Sequence, residues 1–256
     1  MTFESKNEVI HCIGDSHTSL FSGHNKISPY WPEMTNHSLS QFRVYHLGPA
    51  LAFSLWKNDS KTRSKDKLIE ITAKVLPQNS KILMCFGEID CRAHLIKIAK
   101  EHNRSWSEIA EKCILKYFDA ISYVSNLGHN IIIYNAIPSS RKNKPNTGFP
   151  TYGNCKERNE MTKIFNSHLK KNCDEHGIPF LNTFDCFVHD SGLTNSYYYK
   201  DRIHLSQRAI PKTMKALEDC LPAFVFNEKY FRSSLSSRFL NIFLNYFGKN
   251  RTTDAL

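Results

Sequence analysis

A chain of 256 residues, 41% hydrophobic and 23% charged, can bury a sizeable core and has an ordinary globular composition, which argues against intrinsic disorder. Lys and Arg outnumber Asp and Glu 34 to 24, a basic balance that suits an acidic polysaccharide, anionic lipid or nucleic acid without choosing among them. No segment reaches the roughly 18 consecutive apolar residues of a membrane span, and without a zinc finger, an aromatic RNA-binding signature or a GxxxxGKS loop no nucleic-acid partner is expected.

The opening MTFESKNEV has neither a basic start nor a long apolar run, so no secretory leader is expected and a cytoplasmic location follows. Short apolar runs then alternate with longer helical patterns, the signature of an α/β domain with a mainly parallel sheet. Val9 to Ile13 is the first expected strand, and the stretch HCIGDSHTSL carries Gly14, Asp15, Ser16 and His17 where the chain leaves it. Phe42 to Leu47 is the second strand, followed by HLGPA with Gly48. Lys65 to Leu76 reads as a helix. Lys81 to Phe86 is the third strand, and FGEIDCRAHL places Glu88, Asp90, Arg92 and His94 directly behind it. Trp106 to Leu127 is helical and Asn130 to Asn135 is the fourth strand. The centres of the third and fourth strands are continuously apolar, as in strands covered on both faces.

Ser139 to Gly153, rich in Pro, Asn, Lys and Gly, reads as a long loop whose Arg141, Lys142 and Lys144 form a solvated basic face. Asn154 to His176 is a helix stopped at Gly177, Pro179 to Leu181 a fifth strand, and Ser206 to Cys220 a last helix with Ser206 as N-cap. Residues 1–222 are therefore expected to form one domain. Residues 223–256 are an aromatic and basic extension in which Phe239, Leu240, Ile242, Phe243, Leu244, Tyr246 and Phe247 crowd together. It suits packing on the domain, dimerisation or peripheral contact with a membrane surface, which extends the location to the inner face of a membrane. The eight scattered cysteines lack a CxxC pair and read as free thiols, and no HExxH or clustered Cys/His spacing points to a metal.

In an open parallel sheet, ligands bind beyond the carboxyl ends of the strands, where Ser16 is placed. A serine hydroxyl is a weak nucleophile until a base takes its proton. The segment YYYKDRIHLSQRAI offers Asp201 and His204 three residues apart, a spacing that lets the carboxylate hold one imidazole nitrogen while the other faces Ser16. Asp15 is expected to bond backbone amides in its own turn, and His17 to face solvent.

GDSH after the first strand and DRIHL before the last helix resemble the end blocks of the SGNH (GDSL-type) hydrolases over roughly residues 8 to 220. That resemblance implies a three-layer α/β/α domain with a flavodoxin-like sheet, and cleavage or transfer of acyl esters on lipids, sugars and polysaccharides. It implies Ser16 as nucleophile, His204 as general base and then acid, and Asp201 as its orienting partner, with the Ser16 and Gly48 amides binding the oxyanion. Where the family has Gly-x-Asn-Asp, this chain has Gly87-Glu88-Ile89-Asp90, and Ile89 cannot donate the hydrogen bond of the Asn. FGEIDCRAHL resembles a variant of that block in a bacterial subgroup associated with surface-glycan genes. Arg92 is the candidate replacement donor, and Asp15, Glu88, Asp90 and His94 are candidates for substrate binding. The implied substrate is an acylated or acidic glycan, with no cofactor needed for hydrolysis and acetyl-coenzyme A as acyl donor if the acceptor is a sugar hydroxyl. The rival reading is an SGNH-fold glycan-binding or scaffolding domain.

Overall fold

A computed structural model describes residues 9–34, 36–139, 141 and 150–226. Five strands form one sheet: β1 (Ile10–Gly14), β2 (Phe42–His46), β3 (Lys81–Cys85), β4 (Asn130–Tyr134) and β5 (Phe180–Leu181). Their order is β2-β1-β3-β4-β5 and every pairing is parallel, the flavodoxin-like arrangement. Alternation along the strands explains the continuously apolar runs. Ile82, Met84, Ile131 and Ile133 enter one core, while Leu83, Cys85, Ile132 and Tyr134 enter the other.

The first core lies under α1 (Ser64–Glu70), α3 (Trp106–Asn126) and α4 (Cys155–Glu175), with Leu68, Ile114, Tyr117, Ile121, Phe165 and Leu169 buried against the sheet. The second lies under the 3-10 helix Ser16–Ser22 and α5 (Ile210–Cys220), through Leu20, Phe21, Ile210, Met214 and Leu217. The result is a three-layer α/β/α domain. Local chemistry sets the helix starts: Ser105 caps α3, and Asn154 with Glu157 closes a capping box on α4. Ser206 caps a 3-10 turn, Gln207–Ala209, that leads into α5.

The chain after Ser16 coils at once into a 3-10 helix, in keeping with a helix expected to follow the first strand, and one difference from the sequence reading bears on the site. The block after β3 is itself helical, a π-helical stretch Asp90–Leu95 running into α2 (Ile96–Glu101). That second helix escaped the apolar pattern because Asp90 and Arg92 are buried in polar company, so its inward face reads as charged. Phe224 and Phe226 are buried on the second core, and the Phe226 amide donates to Glu218, so residues 223–226 are docked on the domain. The rest of the extension, 227–256, and Lys142 and Lys144 lie outside the described residues. All eight cysteines are free, six of them buried.

Candidate active site

The sheet order reverses between β1 and β3, and the carboxyl edge there is where an open parallel sheet binds ligands. Gly14, His46 and Cys85 stand opposite one another across β2, β1 and β3. Ser16, Gly48 and Gly87 each lie two residues further on, so three strand exits deliver them to one level. Gly14 admits no side chain, because a Cβ there would stand 2.2 Å from the Cys85 carbonyl oxygen. Gly48 turns with φ +95°, a conformation that favours glycine.

Asp15 makes the turn. Its Oδ1 accepts from the His17 amide at 2.9 Å, and its carbonyl accepts from the Thr18 hydroxyl at 2.7 Å. Ser16 therefore begins the 3-10 helix half-buried, with its amide and that of Gly48 engaged in no hydrogen bond among the described residues. The Ser16 hydroxyl lies 2.8 Å from His204 Nε2, a contact spanning 188 positions of sequence. His204 Nδ1 is 2.8 Å from Asp201 Oδ2, while Asp201 Oδ1 accepts from the Ile203 and His204 amides at 2.7 Å each. Gln207 latches this loop to the nucleophile turn by donating to the Leu20 and His24 carbonyls at 3.0 and 3.1 Å.

The electrostatics suit proton transfer from serine. Burial lowers the proton affinity of His204 below the usual imidazole value; the Asp201 bond opposes this and the nearby His17 adds to it. Burial raises the Asp201 carboxyl, but the His204 ring and the two amides outweigh it and hold the group well below the usual carboxylate range. A serine hydroxyl, an imidazole and a carboxylate are thus in one hydrogen-bonded line, the arrangement of a Ser-His-Asp triad.

No family model matches the chain, and no curated protein matches it. Solved structures do. The carbohydrate acetylesterase Est24 from Sinorhizobium meliloti is 17% identical, with 84% of this chain and 99% of that one covered at a TM-score of 0.51. A catalytic mutant of Axe2, an acetylxylan esterase from Geobacillus stearothermophilus, is 16% identical, with 86% and 95% covered at 0.50. The chain has the SGNH hydrolase fold. Likeness at this distance concerns the fold, and what an SGNH-fold chain does has to be argued from its own site.

Within this SGNH fold, the residues proposed from sequence to contact substrate divide. Ser16, Asp201, His204 and Gly48 come together at the sheet edge. Asp15, Glu88 and Asp90 do not reach a substrate surface: they are 1%, 2% and 1% exposed. Asp90 accepts from the Ala52 and Phe53 amides at 2.8 and 3.2 Å and so shapes the loop beyond Gly48. Arg92, expected at the oxyanion, is 3% exposed and committed elsewhere. Its Nε donates to Glu88 at 2.8 and 3.0 Å, and its Nη1 donates to the Pro150 carbonyl. His94 is half-buried on the same π-helical stretch, its proton affinity lowered by burial, then by Arg92 and Lys97.

His17 corrects the sequence reading most. Expected in solvent, it is 5% exposed, with Nε2 3.1 Å from Glu88 Oε2 and its ring centroid 5.1 Å from that of His204. His46 and Tyr30 were missed altogether. His46 is buried at the end of β2 with Nδ1 2.7 Å from the Ser28 carbonyl oxygen. Tyr30 stands edge-on to it and next to Gly48, with more than half its surface exposed at the mouth of the site. The available signal was two charged or titratable residues, His17 and Glu88, each directly behind a strand expected to be buried. Among the described residues no helix is long and apolar enough to cross a membrane, and no cluster of three His, Cys, Asp or Glu side chains could hold a metal ion.

Proposed function

We propose that the protein is a serine-dependent acyl-ester enzyme acting on O-acetyl groups of a carbohydrate, working through an acyl-enzyme. The observation that carries this reading is the line Ser16 Oγ, His204 Nε2, His204 Nδ1, Asp201 Oδ2, with both links at 2.8 Å. Ser16 Oγ attacks the ester carbonyl carbon while its proton passes to His204 Nε2. The resulting oxyanion takes hydrogen bonds from the Ser16 and Gly48 amides. Its collapse breaks the ester bond, and the departing sugar oxygen takes the proton from His204. Water, deprotonated by the same imidazole, then releases acetate and restores Ser16. In a transferase, a glycan hydroxyl replaces water and acetyl-coenzyme A is a suitable donor.

A cleft of 790 Å³ lies between the start of α3, the first turns of α4 and the segment after β5; Ser16, Gly48, Asp201 and His204 do not line it, so it is a candidate surface for a distal part of a long glycan and not for the reacting ester. Trp106 offers a ring face, while Lys156, Lys163, Asp185 and Asp190 offer polar groups, a mixture that suits the apolar faces and hydroxyls of sugar rings. The excess of basic residues favours an acidic surface polysaccharide, and the carbohydrate acetylesterases among the fold neighbours favour acetyl esters. Work in the cytoplasm or at the inner face of the membrane, with the extension as membrane or dimer contact, completes the reading.

Ile89 in place of an oxyanion donor favours the second reading, a glycan-binding domain with little turnover. Release of p-nitrophenol from p-nitrophenyl acetate, with and without an acidic oligosaccharide whose mass is followed, separates the two. Ser16→Ala is expected to lower release by at least about 1000-fold. Acetyl gain on the glycan marks a transferase, and release indifferent to glycan marks an esterase. No Ser16-dependent turnover from this ester or from acetyl-coenzyme A overturns the enzyme reading in favour of binding.

A further inference from the structure

Behind the Ser16–His204 pair lies a closed cluster of four charged side chains. Asp15 comes from the nucleophile turn, His17 from the 3-10 helix, and Glu88 and Arg92 from the exit of β3. None is more than 5% exposed. Arg92 holds Glu88 at 2.8 Å, and Glu88 holds His17 Nε2 at 3.1 Å. Above about pH 6, where Asp15 as well as Glu88 is ionised, the single guanidinium leaves one buried negative charge uncompensated, and a proton on His17 closes the balance; below that Asp15 takes up its own proton and the 3.1 Å contact with Glu88 holds the His17 ring.

We propose that His17, held as an imidazolium by Glu88, is a positioning residue whose charge keeps the His204 ring unprotonated, and so able to act as a base, into mildly acidic solution. The proposal rests on the acyl-enzyme reading for its consequence in turnover, but the charge relation between the two rings stands without it. At the His204 ring burial disfavours a proton, Asp201 favours one and Lys200, like His17, disfavours one, while Asp15, Glu88 and Arg92 bear on His17 itself. Asp15 and Glu88 draw a proton onto His17. Burial, the largest influence on the ring, opposes this, as does Arg92, and His17 Nδ1 meets no hydrogen-bond partner among the described residues. Glu88 is an effective partner because Arg92, then His17, outweigh its burial and bring it down to about 2. His46, at the end of β2, is buried and its proton affinity is lowered for that reason first, with His17 and His204 adding to the effect. His204 faces His17 with ring centroids 5.1 Å apart, close enough for a charge on either ring to disfavour one on the other.

The arrangement has a cost in base strength. Once His204 has taken the Ser16 proton, two like-charged rings stand together, so the base that works at lower pH is also a weaker one. His17 thus acts through His204 and touches no substrate. A residue needed only for folding would change the amount of active protein and leave the pH profile in place.

Nitrogen-resolved NMR titration of the wild-type imidazoles from about pH 4 to about pH 9 reads both rings directly, with His17→Gln and His204→Gln used for assignment. His17 is expected to stay protonated across the interval in which His204 titrates. In His17→Gln, the His204 midpoint is expected to rise by about one unit. The acid limb of p-nitrophenyl acetate turnover moves up with it, and the alkaline plateau rises because the base is stronger. A neutral His17 while His204 titrates overturns the proposal, as does a folded His17→Gln protein with an unmoved His204 midpoint. If the variant does not fold, the wild-type titration alone decides. Absence of turnover with the NMR relation intact would remove the acyl-enzyme reading and leave the charge relation standing.

Discussion

Asp15 and Asp201 build the same local turn and end in opposite states. Each accepts, through Oδ1, the amide two residues ahead, from His17 in one case and Ile203 in the other. Asp15 is buried and its Oδ2 meets no hydrogen-bond donor among the described residues, so burial, only partly offset by His17 and its amide, pushes its carboxyl up to about 6. Asp201 keeps 44% of its side chain in solvent and spends Oδ2 on the His204 ring, and it stays ionised. The turn chemistry is shared, and the surroundings decide which aspartate orients a base. One carboxylate acts by direct contact with the imidazole, while the other belongs to a charge balance.

Breaking the first arm of this contrast has the largest expected effect. Asp201→Asn should lower acyl turnover by about 10³- to 10⁴-fold, because the amide mis-sets the imidazole tautomer. Its melting temperature should stay close to wild type, since the side chain is half in solvent. A matched loss of turnover and melting temperature would place Asp201 in structure instead. Glu88→Ala strikes the buried arm and strands Arg92 and His17 without a carboxylate between them. It should cost about 3 to 5 kcal/mol in denaturant unfolding. A loss under about 1 kcal/mol would show that the cluster is open to water.

Asp15→Asn sharpens the contrast with the smallest effect, since an Asn Oδ1 can accept the same amide and keep the turn. A carboxyl raised in the folded state favours folding most below its unfolded value, and that advantage is lost as pH rises through the folded value. Wild-type stability should therefore fall between about pH 4 and about pH 6 by up to about 3 kcal/mol from this group. In Asp15→Asn that slope should flatten, as read from unfolding midpoints across the interval. An unchanged slope would show that Asp15 titrates as an ordinary exposed carboxylate.

Much of this molecule was legible as a pattern. Strands buried on both faces write themselves as unbroken apolar runs, and all five expected strands overlap the observed ones to within a residue at their ends. Asp201 and His204 were legible because one short loop carries both and its own amides hold the carboxylate. The cluster around His17 was not legible, since it joins two chain segments 71 positions apart and depends on burial that a local pattern cannot express. Burial of Asp90 and Arg92 likewise disguised a helix as a charged loop. Arg92 was read as reaching towards the substrate because a charged side chain after a strand is by default exposed, and only tertiary packing turned it onto Glu88 and Pro150.

The 188-position span between Ser16 and His204 also bears on how the protein comes into being. During synthesis the nucleophile leaves the ribosome long before its base, and the Gln207 latch cannot close until the start of the last helix has emerged. A nascent chain therefore carries an inert serine, harmless to the esters around it. In refolding, the proposed ester cleavage would return only once this long-range closure had formed, so activity would report that contact directly.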